Sequence, residues 1–134
     1  MSFSVTILGS SSALPTSKRF LSAHLLKVDE RFFLIDCGEG TQIQLRKYKV
    51  KLGKINNIFI SHLHGDHVLG LYGLILSFNL LGRKHDLNIY AHNDIEPIIN
   101  FHLKYFCHNI EFKINIHAIN CRKKEIISLQ ELLL

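Results

Sequence analysis

Apolar residues recur along this chain in two rhythms, short runs of strand length and longer runs of helical length, and the two alternate. Phe3 to Leu8 predicts a short strand that Gly9-Ser10-Ser11-Ser12 breaks with turn residues. Ala23 to Val28 and Arg31 to Ile35 predict a hairpin around the polar Asp29-Glu30 turn. Gly40 to Tyr48 spaces Ile43, Leu45 and Tyr48 among polar residues, the pattern of an amphipathic helix. Ile55 to Ile60 predicts a buried strand. Val68 to Leu81 has the apolar density of a core helix, with Gly82 as its stop. Leu87 to Tyr90 predicts another strand, and Asp94 is placed to cap a helix running to Phe106 with Pro97 in its first turn. Phe112 to Ile119 alternates apolar and polar residues as a half-exposed strand does, and Glu125 to Leu134 fits a strand or a helix. The order of elements, hairpins first and helical crossovers after, predicts an α/β fold with a mixed sheet.

At 134 residues, 47% hydrophobic and 20% charged, the chain has the size and composition of one packed domain. Neither a repeat nor a low-complexity tract divides it. The stretch from Val68 to Leu81, broken by Gly70, Gly73, Ser77 and Asn79, is too short to cross a bilayer. The N-terminus lacks the basic and apolar regions of a secretory signal. Cys37, Cys107 and Cys121 match neither a paired disulfide framework nor a CxxC zinc motif, so a reducing, cytoplasmic location is expected. The net charge of +5 favours an anionic partner. Its excess is concentrated at Arg46, Lys47, Lys49, Lys51 and Lys54, with a shorter run at Arg122, Lys123 and Lys124; either run suits a solvated surface or contact with nucleic-acid phosphate.

The densest chemistry lies in Ser61-His62-Leu63-His64-Gly65-Asp66-His67, directly after the strand that ends at Ile60. Three histidines and a carboxylate in so short a span form a ligand set for a borderline metal. At a strand end His62 and His64 point to one side, because side chains alternate with period two. Gly65 lets the chain turn, and Asp66 with His67 then faces the same pocket from the start of the next helix. The arrangement suits two adjacent ions, one on His62 and His64 and the other on Asp66 and His67. Asp66 is also placed to accept a proton from a metal-bound water; as a helix N-cap it would do less. The isolated histidines His24, His85, His92, His102, His108 and His117 are expected to be surface or core side chains.

His62-Leu63-His64-Gly65-Asp66-His67 resembles the HxHxDH signature of the metallo-β-lactamase superfamily. Three further stretches narrow the resemblance to the ribonuclease Z family: Leu8 to Thr16, Ile35-Asp36-Cys37-Gly38-Glu39-Gly40-Thr41-Gln42, and Gly70-Leu71-Tyr72-Gly73-Leu74. The likeness runs from Val5 to about Tyr90. It implies a four-layer αββα sandwich of two similar halves with the metal site at the seam. It implies two zinc ions, with His62 and His64 as ligands of one and Asp66 and His67 as ligands of the other. Asp66 is the implied proton acceptor, and Asp36 supports the ligand loop without binding metal. The implied activity is endonucleolytic removal of the 3′ trailer from precursor tRNA, with Arg46, Lys47, Lys49, Lys51 and Lys54 as candidate contacts to its backbone.

The family's remaining ligands come from its second half, and none of the later histidines here lies in a segment resembling them. Residues 1–134 are therefore expected to form a single domain, the N-terminal part of a metallo-β-lactamase-like domain, inactive alone. Such a half leaves the inner face of its sheet without a partner, with Ile7, Leu25, Leu34, Ile58 and Ile60 as candidates for that face. An exposed apolar face predicts at least a dimer. Two other readings stay open: hydrolysis of small phosphodiesters or other esters at the same site, and a binding or assembly module without catalysis.

Overall fold

The computed structural model describes residues 1–119, so the expected element at Glu125 to Leu134, the run Arg122 to Lys124 and Cys121 lie outside the described residues. The chain runs β1 (Phe3–Gly9), β2 (Ala23–Val28), β3 (Arg31–Ile35), α1 (Thr41–Lys47), β4 (Ile55–Phe59), α2 (Gly65–Leu80), β5 (Leu87–Ala91), α3 (Ile95–Phe106) and β6 (Ile114–Ala118), with a 3₁₀ turn at Leu52–Lys54 before β4. These strands form one six-stranded mixed sheet in sequence order. The first three pair antiparallel, as short turns allow. From β3 onward each pair is parallel and each crossover carries a helix. Three right-handed crossovers moving one strand at a time in one direction place α1, α2 and α3 on the same face.

Cross-strand register shows which residues share that face. Leu25, Leu34, Ile58 and Ile89 lie opposite one another from β2 to β5. All four are buried, in one cluster with Leu45 of α1 and Leu71, Leu74, Ile75 and Phe78 of α2. The opposite row runs His24, Ile35, Phe59, Tyr90 and His117. This corrects the expected composition of the uncovered face. Leu25, Leu34 and Ile58 pack under the helices, Ile60 is buried in the same cluster, and of the five only Ile7 faces away. The face away from the helices instead carries Phe3, Val5 and Ile7, which are 64%, 51% and 60% exposed, with Leu26, Ile35 and Phe59 half-buried beside them and Phe33 and Tyr90 buried. Apolar runs of strand length do not show which alternate set the helices will cover, because both faces of these strands are apolar.

Two elements differ from the sequence reading by more than one residue at a boundary. Helix α2 begins at Gly65, with His64 as N-cap, three residues before the apolar run. A first turn needs no buried face to continue the backbone ladder, so hydrophobic pattern alone misses it. Asp66 therefore lies inside that turn and is not the cap. Strand β6 is confined to Ile114–Ala118, and Phe112 is buried outside it. The end of α2 follows its expected stop: Gly82 has φ 77°, its N–H donates to the Asn79 carbonyl, and the Arg83 N–H donates to that of Phe78. No helix among the described residues is long and apolar enough to cross a membrane.

Candidate metal centre

The cluster sits where three elements end or begin: the C-terminal ends of β3 and β4 and the first turn of α2. Backbone contacts join them. Asp36 N–H donates to the Phe59 carbonyl at 2.7 Å, Cys37 N–H to the His67 carbonyl at 2.8 Å, and Gly70 N–H to the Cys37 carbonyl at 2.9 Å. So close an approach excludes side chains. A Cβ on Gly70 would lie 2.0 Å from the Gly38 carbonyl oxygen, and one on Gly38 would lie 2.5 Å from that of Asp66.

Asp36 is 5% exposed and orders the site. Its Oδ1 accepts the Ser61 N–H at 2.8 Å, and its Oδ2 accepts the Ser61 hydroxyl at 2.9 Å. The same Oδ2 lies 2.7 Å from His67 Nδ1. Ser61 Oγ is also 2.9 Å from His62 Nδ1. A serine hydroxyl has one proton; once it goes to Asp36, the His62 Nδ1–H is the donor to Oγ. His62 thus holds its Nδ1 proton on Ser61 Oγ and His67 holds its own on Asp36, which leaves both Nε2 lone pairs free, the tautomer a metal ligand needs. Ring centroids of His62 and His67 are 4.1 Å apart, and those of His62 and His64 4.7 Å.

His67 Nε2 lies 3.3 Å from Asp66 Oδ2. With the His67 proton on Nδ1, two acceptors would face each other there, a contact that a cation or a second proton between them relieves. The Ala13 N–H donates to the same Oδ2 at 3.0 Å and, against the opposing effect of burial, holds the Asp66 carboxyl below the usual carboxylate range, helped by His67 and His62. Asp66 is thus set to be ionised. In donor type the four residues fit a divalent metal. In number they supply pairs: among the described residues no three His, Cys, Asp or Glu side chains are placed to hold one ion.

Cys37 is fully buried beside the site, and burial pushes its thiol up to about 12, so it is neither thiolate nor ligand at neutral pH. The isolated histidines are dispersed. His117 stacks on Tyr90 at 4.4 Å, His92 Nδ1 lies 3.4 Å from Asp94, and His102 sits between Tyr72 and Phe106 at 5.1 and 5.3 Å. The basic residues do not approach the histidines along the sheet. Arg46 and Lys47 end α1, and Lys49, Lys51 and Lys54 precede the first residue of β4, whose last residue leads into the histidines. That strand's five residues separate the two groups by about 16 Å at roughly 3.3 Å per residue. Lys49, Lys51 and Lys54 line a cleft with Lys27, Tyr48 and Glu30. Two site residues lie in segments the sequence singles out but carry no role there: Ser61, which links Asp36 to His62 across 25 positions, and Ala13, 53 positions from its partner. Neither bond leaves a local pattern.

A family model described as anti-Pycsar protein Apyc1 matches residues 3–127. The chain belongs to that family. Among curated relatives it is 43% identical to a ribonuclease Z of Bacteroides fragilis over 93% of this chain and 41% of that protein. It is 46% identical to a ribonuclease Z of Phocaeicola vulgatus over 93% of this chain and 40% of that one. The chain therefore spans about two fifths of the length of these relatives. Among solved structures it is similar to the short form of human tRNase Z, with TM-score 0.79 and 37% identity over 85% of this chain and 44% of that one. A metallo-β-lactamase-fold protein of Bacillus subtilis aligns with TM-score 0.67 and 26% identity over 87% of this chain and 46% of that one. The resemblance to ribonuclease Z and the metallo-β-lactamase-like α/β fold both stand on these likenesses.

Proposed function

We propose that residues 1–134 form part of a metallo-β-lactamase-like domain in a zinc-dependent phosphodiesterase of the ribonuclease Z type, a cytoplasmic enzyme that removes the 3′ trailer from precursor tRNA. The observation that carries this reading is the convergence of His62, His64, Asp66 and His67 under the control of Asp36. Likeness to ribonuclease Z supports the substrate class. His62 and His64 would hold one zinc ion, and Asp66 and His67 the other. Bound zinc supplies Lewis acidity, lowering the pKa of water and neutralising phosphoryl charge. The chain's own contribution is orientation and proton transfer. Asp36 keeps the Nε2 atoms of His62 and His67 turned inward, and Asp66, held ionised, accepts the proton of the attacking water as its oxygen bonds to phosphorus and the ribose oxygen leaves. The chain alone is inactive, because its ligands come in pairs. The exposed apolar edge at Phe3, Val5 and Ile7 supports a homodimer, or a larger assembly, in solution.

The test is cleavage of a precursor tRNA carrying a 3′ trailer, compared with turnover of a chromogenic phosphodiester, by this chain alone and co-expressed with the remainder of a related ribonuclease Z. Trailer cleavage that appears only with the second polypeptide, is lost with chelator and is lost in Asp66→Asn supports the proposal. Turnover of the chromogenic ester without trailer cleavage replaces it with a second reading, a small-phosphodiester hydrolase.

A further inference from the structure

The connection from β1 to β2 contains a backbone conformation that its own packing does not require. Ala13 has φ 60°, the left-handed region that costs an alanine more than a glycine. The Leu14 N–H donates to the Ser12 carbonyl at 2.7 Å, so Ala13 is the centre of a three-residue turn of the rare positive-φ kind. The surrounding loop closes on itself. Ser10 and Ser11 N–H donate to the Phe20 carbonyl, the Ser11 hydroxyl to the Leu14 carbonyl, and Lys18 and Arg19 N–H to Thr16 Oγ1. Ser12, Ala13 and Leu14 are all exposed, so no core side chain forces the turn. Among the described residues one hydrogen bond leaves residues 10–21 from this turn: Ala13 N–H to Asp66 Oδ2, at 3.0 Å.

We infer that Ala13 is a positioning residue for Asp66, its strained turn aiming the amide proton at one carboxylate oxygen and thereby fixing the rotation of the Asp66 side chain toward the metal pocket. The inference rests on the reading of Asp66 as a metal ligand and proton acceptor and adds what holds it in place. Without this bond the carboxylate, half-buried on the first turn of α2, keeps only the His67 ring, 3.3 Å away, as a polar neighbour. Strain persists where surrounding structure fixes it, and here two sets of self-closing bonds flank the turn. A backbone donor is not lost by side-chain substitution, which suits a group whose one task is orientation.

The decisive variant is an ester in place of the Ser12–Ala13 amide, made by placing L-lactic acid at position 13, which removes the N–H and keeps the Cβ. Zinc affinity is read by competition with a chelating dye, alongside thermal unfolding of the metal-free chain. Expected are an affinity about tenfold weaker in the ester chain, the usual cost of losing a group that orients a ligand, and little change in melting. Ala13→Gly keeps the N–H and is expected to bind zinc as the parent does. A readout without metal is exchange of the Ala13 amide proton, expected to be slow in the parent and fast in Asp66→Ala. Equal zinc affinity in ester and parent, or equal exchange with and without Asp66, overturns the role of Ala13. A parent chain that binds no zinc overturns the metal reading, and amide exchange then decides alone whether Ala13 holds Asp66.

Discussion

At the scale of single residues, Asp36 and Cys37 are neighbours with opposite electrostatic settings. Asp36 is buried but receives hydrogen bonds from Ser61 N–H, Ser61 Oγ and His67, so its charge is compensated where it stands. Asp36→Ala removes that acceptor, leaves the Ser61 amide and His67 Nδ1 without it, and frees two imidazoles to turn. The expected loss of zinc affinity is about 10–100-fold, read by chelator competition, with about 1–3 kcal/mol of stability lost from the unpaired donors, read by urea unfolding. Cys37 has nothing to compensate a charge except the Thr41 hydroxyl, and burial raises its thiol from the ordinary 9 to about 12. The folded state therefore holds this proton more tightly than the unfolded state does. Its contribution to stability is fully present below pH 9 and is lost as pH rises toward 12. The urea midpoint is expected to fall between pH 9 and pH 11 in the parent and to fall less in Cys37→Ala, while thiol reagents at pH 8 label Cys37 only after unfolding.

At the scale of elements, the site depends on how closely the turn after β3 meets the first turns of α2. Gly70 is the contact that permits it, its missing Cβ standing where a methyl would be 2.0 Å from the Gly38 oxygen. Gly70→Ala must displace backbone rather than a flexible side chain, so destabilisation of about 1–3 kcal/mol is expected with a loss of zinc affinity. Gly53→Ala, where nothing lies within 4 Å, is the control and is expected to change stability by less than about 0.5 kcal/mol. The connection from α1 to β4 gathers Lys49, Lys51 and Lys54, with Lys54 engaged by Glu30 at 3.1 Å. In the proposed role as contacts to an RNA backbone, these residues would act on affinity and not on the chemistry at the histidines. Replacing Lys47, Lys49 and Lys51 together by alanine is expected to weaken precursor tRNA binding and flatten its salt dependence. An unchanged salt slope in filter binding removes them from the interface.

At the scale of the whole molecule, the helices among the described residues all lie on one side of the sheet. Helices α1, α2 and α3 bury one face, and the other presents Phe3, Val5 and Ile7 at the β1 edge. Light scattering is expected to give a mass above that of one chain, and Ile7→Lys, at a side chain 60% exposed, is expected to shift it toward the monomer without lowering the melting temperature. A parent that scatters as a clean monomer would remove self-association through this face.

The sequence by itself determined the strand and helix types from Phe3 to Ala118, because apolar periodicity and the glycine stops are local signals. It also marked out the candidate ligand segment: His62, His64, Asp66 and His67 are close in the chain, and their donor chemistry is independent of the fold. The tertiary structure decided what depends on distant residues. Which alternate set of strand residues lies under the helices is one such matter, since both sets are apolar and only the direction of the crossovers selects one. Another is that α2 begins at Gly65, where backbone bonding to the turn after β3 continues the helix past its apolar stretch. The last is the support of the site. Asp36 reaches Ser61 through two hydrogen bonds and His67 through one, and Ala13 reaches Asp66 through one, across 25 to 53 positions, and such bonds impose no period or composition on the segments they join.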